Sequence, residues 1–317
     1  MFVDQTQCPL CHTTSCESIL RFNVYYDNTS VPVVRCRVCG LDYKKKVLVS
    51  QDLIDVYNSD YTHFSKDEDQ NIYQSRLSRI VKLVGRNSRH LDYGCGNGGF
   101  VTAALAQGLE SVGADPFLPE YLLSPAERTT FYRLDGSSEG ILALGQFDVI
   151  TLWAVIEHLP QLQLTMQNLG KMLKPGGSIF FNSPFGGSII SRLNGEQWNM
   201  AAIPEHLHFQ TDESIRFFSK ILKLNIKQIR YCGSPYPFGS TTKVTQAPST
   251  SSDVKIVVPL EAQKSSGIAK KLSAMVYKKI LGNTGNGTVA NTIRVITNAL
   301  RIGDHVEVVL EKPVGFV

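Results

Sequence analysis

The sequence predicts an α/β protein with a mostly parallel sheet, and three observations carry the prediction. Between residues 89 and 232, apolar runs of strand length alternate with helix-length stretches. That order produces a parallel sheet covered by helices on both faces. One strand-to-helix junction, Gly94-Cys95-Gly96-Asn97-Gly98-Gly99, is nearly devoid of side chains. Ahead of the alternation stand two Cys-x-x-Cys pairs, which mark a small segment held together by different means.

A chain of 317 residues is long enough for two domains, or for one domain with additions. An apolar share of 43% can build a real core, and a net charge of +4 is far from the concentrated basicity of a dedicated nucleic-acid binder. There is no apolar run of about 18 residues, so no transmembrane helix is expected. The stretch from Met1 to Cys8 has no basic region followed by an apolar one. No signal peptide is read from it, and a cytoplasmic protein with reduced cysteines is expected.

In residues 1–50, Cys8-Pro-Leu-Cys11 and Cys36-Arg-Val-Cys39 each present two thiolates from a tight turn. Together they complete a tetrahedral shell for a structural zinc ion. Residues 12–35 between the pairs predict a hairpin through Ile19–Tyr26 and Val31–Arg35. His12 and Cys16 are surplus to a filled shell. In residues 51–88 a helix is expected over Asp69–Val84, with Ile72, Leu77, Ile80, Val81 and Val84 on one face and Gly85 as its cap. Tyr57 and Tyr61 precede it, as part of a lid or as anchors of the linker.

The run Arg89 to Val101 joins a short buried strand, His90–Tyr93, to the first turns of a helix. Glycine in the turn between them allows positive φ, and the N–H groups opening the helix favour a polar or anionic ligand. Gly94, Gly96 and Gly99 formally satisfy the G-x-G-x-x-G nucleotide fingerprint. A second strand near Glu110–Ala114 ends at Asp115, about 20 residues past the turn, where an acid can accept both ribose hydroxyls. Further strands are expected at Thr130–Leu134 and Phe147–Trp153, then a helix at Leu162–Leu173 and a strand through Ser178–Asn182.

The string Leu91-Asp92-Tyr93-Gly94-Cys95-Gly96-Asn97-Gly98 resembles the first motif of class I S-adenosylmethionine (SAM) dependent methyltransferases. The ordered segments from Phe147 to Leu159 and from Met172 to Asn182 are similar to the downstream motifs of that family. The cysteine quartet, Pro204-Glu205-His206-Leu207-His208-Phe209 and the closing Gly303–Pro313 narrow the resemblance. They look like a bacterial subfamily with an N-terminal zinc-binding segment that modifies sugars, nucleotide-linked sugars or other secondary metabolites. The likeness spans nearly the whole chain, apart from roughly 235–300.

The resemblance implies a Rossmann-like, seven-stranded methyltransferase sheet, with an N-terminal zinc ribbon and a helical C-terminal insertion. Its parts would be the ribbon (1–50), a helical lead-in (51–88), the SAM-binding core (89–232), the insertion (233–303) and the final strand (304–317). The cofactor would be SAM, held by Asp92, Gly94, Cys95, Gly96, Asp115, Asp135 and Trp153, with zinc on Cys8, Cys11, Cys36 and Cys39. Asp135 would contact the adenine amine.

Methyl transfer from SAM needs a nucleophile held about 3 Å from the methyl carbon, which is mostly proximity catalysis. A hydroxyl or enolisable carbon must also lose a proton, and histidine suits that task at its ordinary pKa. His158 follows the fourth strand and sits near the crevice past the strand ends. Glu205, His206 and His208 follow the fifth. His206 is the favoured base, with Glu205 or His208 assisting, and Trp198 and Phe209 as a substrate wall. His206 and His208 lie two apart, which in an extended segment puts both on one face and also fits a metal pair, with no third ligand evident.

Beyond residue 232, Lys264–Leu281 predicts a basic amphipathic helix, which packs on the domain or a second subunit, or rests on a membrane surface. A second helix is expected at Val289–Leu300, and the strand Val306–Leu310 should insert antiparallel. The expected partner is a small-molecule acceptor. An RNA methyltransferase gripping a stem-loop with its ribbon is the alternative, but no basic stripe with interleaved aromatics supports it. A non-catalytic scaffold is disfavoured by the intact glycine turn and Asp115.

Overall fold

The computed structural model describes residues 2–26, 29–48, 70–123, 130–135, 137–232 and 303–315. Tyr57 and Tyr61, and residues 233–302 with both helices expected there, lie outside the described residues.

The N-terminal part holds β1 (Phe2–Asp4), β2 (Ser18–Tyr26), β3 (Thr29–Cys36), β4 (Asp42–Lys44) and β5 (Lys46–Leu48). Strands β2 and β3 form the expected hairpin, β4 continues the meander, and β1 pairs with β5. Helix α1 (Gln70–Val84) follows and ends at Gly85, as its apolar spacing predicts.

The alternation then runs through β6 (Arg89–Tyr93), α2 (Gly99–Ala106), β7 (Glu110–Asp115), β8 (Phe131–Arg133), α3 (Ser138–Leu142), β9 (Phe147–Leu152), α4 (Leu162–Met172) and β10 (Leu173–Pro184). Short helices α5 (Ile189–Asn194) and α6 (Asn199–Ala202) lead to β11 (His208–Phe209), α7 (Asp212–Leu222), β12 (Asn225–Cys232) and β13 (His305–Glu311).

Seven strands make the main sheet in the order β12-β13-β10-β9-β6-β7-β8. The pairs from β10 through β8 are parallel, and β13 is antiparallel to both of its neighbours, as expected for the final strand. Leu91, Val149, Ile150 and Leu152 are fully buried in the central strands, which explains their continuous apolar runs. Each such side chain contributes roughly 1.5–3 kcal/mol by leaving water. Strand order reverses between β6 and β9, whose carboxyl ends therefore open a ligand crevice.

A second sheet, β11-β4-β3-β2, joins the two halves of the chain. His208 pairs with Tyr43 and Phe209 with Asp42, so a strand from beyond the main sheet extends the four-cysteine segment. Trp198 and Phe209 stack tilted, with ring centroids 5.0 Å apart, in a buried cluster with Val24, Tyr26, Val31 and Val33. They are the core of this junction. The expectation that they wall a substrate site is corrected: facing the hairpin, they are 2% and 0% exposed.

Candidate active site

The glycine turn leaves β6 at Gly94 (φ 78°) and enters α2 from Gly98 (φ 77°), both in the left-handed region. A Cβ on Gly94 would lie 2.3 Å from Val155 Cγ2, and one on Gly98 would lie 2.7 Å from Phe131. The turn thus needs glycine for its conformation and for close packing across the crevice. Asp115, at the end of β7, accepts the Gly96 N–H at 3.0 Å and the Phe117 N–H at 2.7 Å. A carboxylate can accept about four hydrogen bonds, so clamping the backbone is compatible with receiving ribose hydroxyls.

Asp92 is held from inside the sheet. Thr151 Oγ1 donates to Asp92 Oδ1 at 2.6 Å, and His90 bridges Thr151 and Ser111 with 2.8 Å bonds from its two ring nitrogens. With the Thr151 hydrogen spent on Asp92, His90 donates from Nε2 and accepts the Ser111 hydroxyl at Nδ1. Burial pushes the His90 pKa down to about 3, so the ring stays neutral. This network shows in the sequence only as four polar residues, His90, Asp92, Ser111 and Thr151, inside apolar strands.

The other expected cofactor residues divide. The Cys95 thiol turns into the core among Val101, Leu118 and Phe131, and burial raises its pKa, so it offers backbone rather than side chain. Asp135 is exposed and accepts the Ser137 N–H at 2.8 Å, beside a cleft of about 50 Å³ lined by Tyr93, Leu134, Ser137, Ile141 and Thr165. Trp153 packs edge-on against Phe100 with Arg76 4.0 Å above its ring, and its buried Nε1 has no hydrogen-bond partner. Arg76 was not anticipated, because a single arginine on the exposed side of a helical pattern carries no signal. The turn, Asp92 and Asp115 fit an adenosyl ligand.

Across the crevice, the segment after β9 meets the segment before β11. Leu207 N–H donates to Glu157 O at 2.9 Å, while Lys44 N–H donates to Leu207 O at 3.0 Å. The four-cysteine half thereby fixes residues 205–208 against the end of β9. His158 and His206 meet edge to face, with centroids 4.8 Å apart. His158 Nδ1 donates to Glu205 O at 3.1 Å and His206 Nδ1 donates to Met200 O at 2.9 Å. Carbonyl acceptors place both protons on Nδ1 and leave the lone pairs on Nε2.

Burial lowers the His158 pKa to about 4, and burial with the neighbouring His158 and Lys44 charges lowers His206 well below its usual value. The expectation of an unperturbed imidazole base is therefore corrected: both rings are neutral lone-pair donors of weak basicity. Glu157 lies between these rings and the end of β9 and carries no signal of its own in the sequence. Burial raises its pKa to about 7, far closer to neutral than that of either imidazole, and its Oε2 is buried without a hydrogen-bond partner.

His208 is separate. Its Nε2 donates to Leu159 O at 3.3 Å inside the junction, with a pKa pushed down to about 3 by burial. The expected pairing of His206 with His208 is corrected: the group that can share an ion is Glu157, His158 and His206. The partners were hidden because they come from the turn after β9, Ile156–His158, roughly fifty residues upstream of His206.

The four cysteines converge as expected. Cys8, Cys11, Cys36 and Cys39 each bring a sulfur within 4.8 Å of the others, with Cys8–Cys39 and Cys11–Cys36 at 3.5 Å. A tetrahedral ion with Zn–S bonds of about 2.3 Å sets sulfurs about 3.8 Å apart. The Val38 N–H points at Cys36 Sγ at 3.4 Å, as it would to stabilise a thiolate. Hydrogen bonding to Cys39 pulls Cys8 down to about 6, and burial raises Cys11 to about 12. The donor set fits one divalent ion.

Among the described residues, no helix is long and apolar enough to cross a membrane. Residues 65–217 match the family described as "Methyltransferase domain". The ubiquinone biosynthesis O-methyltransferase of Methylococcus capsulatus is 36% identical over 112 residues, covering 32% of this chain and 45% of that protein. The enzyme of the same name from Escherichia coli O157:H7 is 29% identical over 136 residues, 40% and 54% of the two chains. The chain thus spans about half the length of the curated relatives it matches. Among solved structures, a SAM-dependent methyltransferase from Archaeoglobus fulgidus aligns over 82% of this chain and 99% of its own, at 17% identity and a TM-score of 0.46. This chain carries a class I SAM-dependent methyltransferase domain, joined to an N-terminal four-cysteine cluster.

Proposed function

We propose that the whole chain transfers a methyl group from SAM to a small molecule bearing a hydroxyl, of the sugar, nucleotide-linked sugar or related metabolite class. One observation carries the reading: the Asp115-clamped glycine turn and the Glu157–His158–His206 cluster lie at the carboxyl ends of β6, β7 and β9, around the point where strand order reverses. Bound SAM supplies a methyl group already activated on sulfonium sulfur. The chain has to hold the cofactor, exclude water and receive one proton from the acceptor. Asp115, Asp92 and the turn hold the ribose and amino-acid ends. Asp135 and Trp153 flank the adenine side and the methyl side.

The acceptor proton passes to the cluster, where Glu157 has the pKa suited to receive it, with Glu205 and His208 fixing the segment that carries His206, and His158 beside it. The O-methyltransferase names of the relatives favour oxygen as the methylated atom. The sugar-type acceptor rests on the motif resemblance. A cleft of about 650 Å³ bordered by Val3, Cys8, Pro160 and Leu207 shares Gln161 and Leu164 with the cleft beside Asp135, so the four-cysteine half borders the open space next to the proposed cofactor site.

Structural zinc on Cys8, Cys11, Cys36 and Cys39 would lock the hairpin that holds residues 205–209. Its insertion into a shared sheet favours a wall of the small-molecule site over an RNA-gripping arm. Seven unpaired cysteines fit a reducing compartment, the cytoplasm.

The test is calorimetric binding of SAM and S-adenosylhomocysteine, followed by transfer of labelled methyl to panels of nucleotide sugars, simple phenols and RNA. Micromolar binding with label only in the hydroxylated small molecules is expected. Label in RNA alone, or no adenosyl binding at all, overturns the reading.

A further inference from the structure

The geometry points to a second metal site, distinct from the four cysteines, in which Glu157, His158 and His206 hold one divalent first-row transition ion. These residues can each bring a ligand atom within 4.8 Å of the others. Bonds of about 2.0–2.1 Å in a tetrahedral site require ligand atoms about 3.4 Å apart, so side-chain rotations of around an ångström close the trio. Two imidazoles and one carboxylate form a common open site for such ions, leaving positions for water or substrate oxygen.

Two independent features favour a ligand. The first is the orphaned Glu157 Oε2, a carboxyl oxygen on a residue 2% exposed with no hydrogen-bond partner. Leaving such a group unsatisfied costs several times an ordinary hydrogen bond unless a cation or proton answers it. The second is the outer support of the two histidines. Each donates Nδ1–H to a backbone carbonyl, Glu205 O or Met200 O. That fixes ring orientation and tautomer and presents Nε2 as a lone pair, the arrangement that supports metal-bound histidine.

Lys44 is the opposing charge at this junction. Its amine is anchored by Tyr26 Oη at 2.6 Å and Ile203 O at 2.5 Å, and burial lowers its pKa to about 7. The site rests on the methyl-transfer reading only for its purpose. A metal ion there would lower the pKa of an acceptor hydroxyl, the task for which the buried imidazoles are poorly matched.

Manganese(II) is the probe, since thiolates select softer ions and the carboxylate–imidazole set accepts it. The full chain, with its cysteine site filled by zinc, is titrated with Mn²⁺ and followed by electron paramagnetic resonance. One bound Mn²⁺ per chain is expected, with pulsed-resonance modulation from two imidazole nitrogens. Binding should weaken at least tenfold in both Glu157→Gln and His206→Gln, while the zinc content of each variant reports that it folds. Absence of tight Mn²⁺ binding by the wild type, absence of nitrogen modulation, or binding unchanged in both folded variants overturns the site. None of these readouts involves methyl transfer, so the site can fail while the methyltransferase reading stands, and the reverse.

Discussion

Asp115 Oδ2 accepts the Gly96 N–H at 3.0 Å, so the acid ending one strand holds the glycine turn that follows its neighbour. One side chain shapes the turn and, on the reading proposed above, also receives the ribose. Asp115→Asn replaces that acceptor oxygen in part with a donor. Loss of a charged hydrogen bond of about 1.5–3 kcal/mol predicts a tenfold to hundredfold weaker SAM dissociation constant by calorimetry. An unchanged constant would remove Asp115 from the cofactor site.

Gly94→Ala should fail for two reasons, the positive φ and the 2.3 Å approach to Val155 Cγ2. A loss of about 1–3 kcal/mol is expected in denaturant unfolding, together with weaker SAM binding. Adding Val155→Ala should restore only the steric part. Full recovery in the double variant would mean that φ carries no cost there.

Stripping the four-cysteine site of the ion proposed for it should be felt at a distance. Cys36→Ser, or a strong chelator, should lower zinc content by one ion per chain and loosen β2 and β3. Because β11 pairs with β4, hydrogen exchange should also rise at His208 and Phe209, and turnover should fall. Exchange confined to residues 8–39 would show that the two halves are not coupled.

Trp198 belongs to the junction core. Trp198→Ala should cost about 3–5 kcal/mol through the cavity it leaves, whereas Trp198→Phe should cost less and leave the acceptor KM unchanged. A raised KM at near-wild-type stability in Trp198→Phe would return this residue to the substrate wall.

Lys44 predicts a pH signature. Burial lowers its pKa from 10.5 to about 7, so between these values the unfolded chain holds a proton that the folded chain does not. Stability from this group therefore rises with pH across that window, and the cost of burying the charge is fully present below it. Urea unfolding at pH about 7 and about 9 should show the wild type gaining on Lys44→Met at the higher pH. The opposite trend would mean that Lys44 stays charged in the fold.

Most of the main sheet was legible in the sequence because its signals are local. The run at Phe147–Leu152, the turn at Gly94 and the acid at Asp115 each follow from neighbouring residues and backbone rules. The cysteine quartet was legible because its chemistry requires only spacing. Trp198 and Phe209 were misplaced because an aromatic pair looks the same on a substrate wall as in a core. His206 and His208 looked paired because period-two spacing assumes an extended strand, and β11 begins only at His208.

By itself, then, the sequence determined the α/β sheet, its cofactor turn and the four-thiol cluster, since backbone conformation and ligand type are set residue by residue. Tertiary structure alone decided that β11 joins β4, that Glu157 and His158 meet His206, and that burial strips these histidines of their ordinary basicity. Those outcomes depend on contacts between residues far apart in the chain and on the water that packing removes, and neither has a local pattern to read.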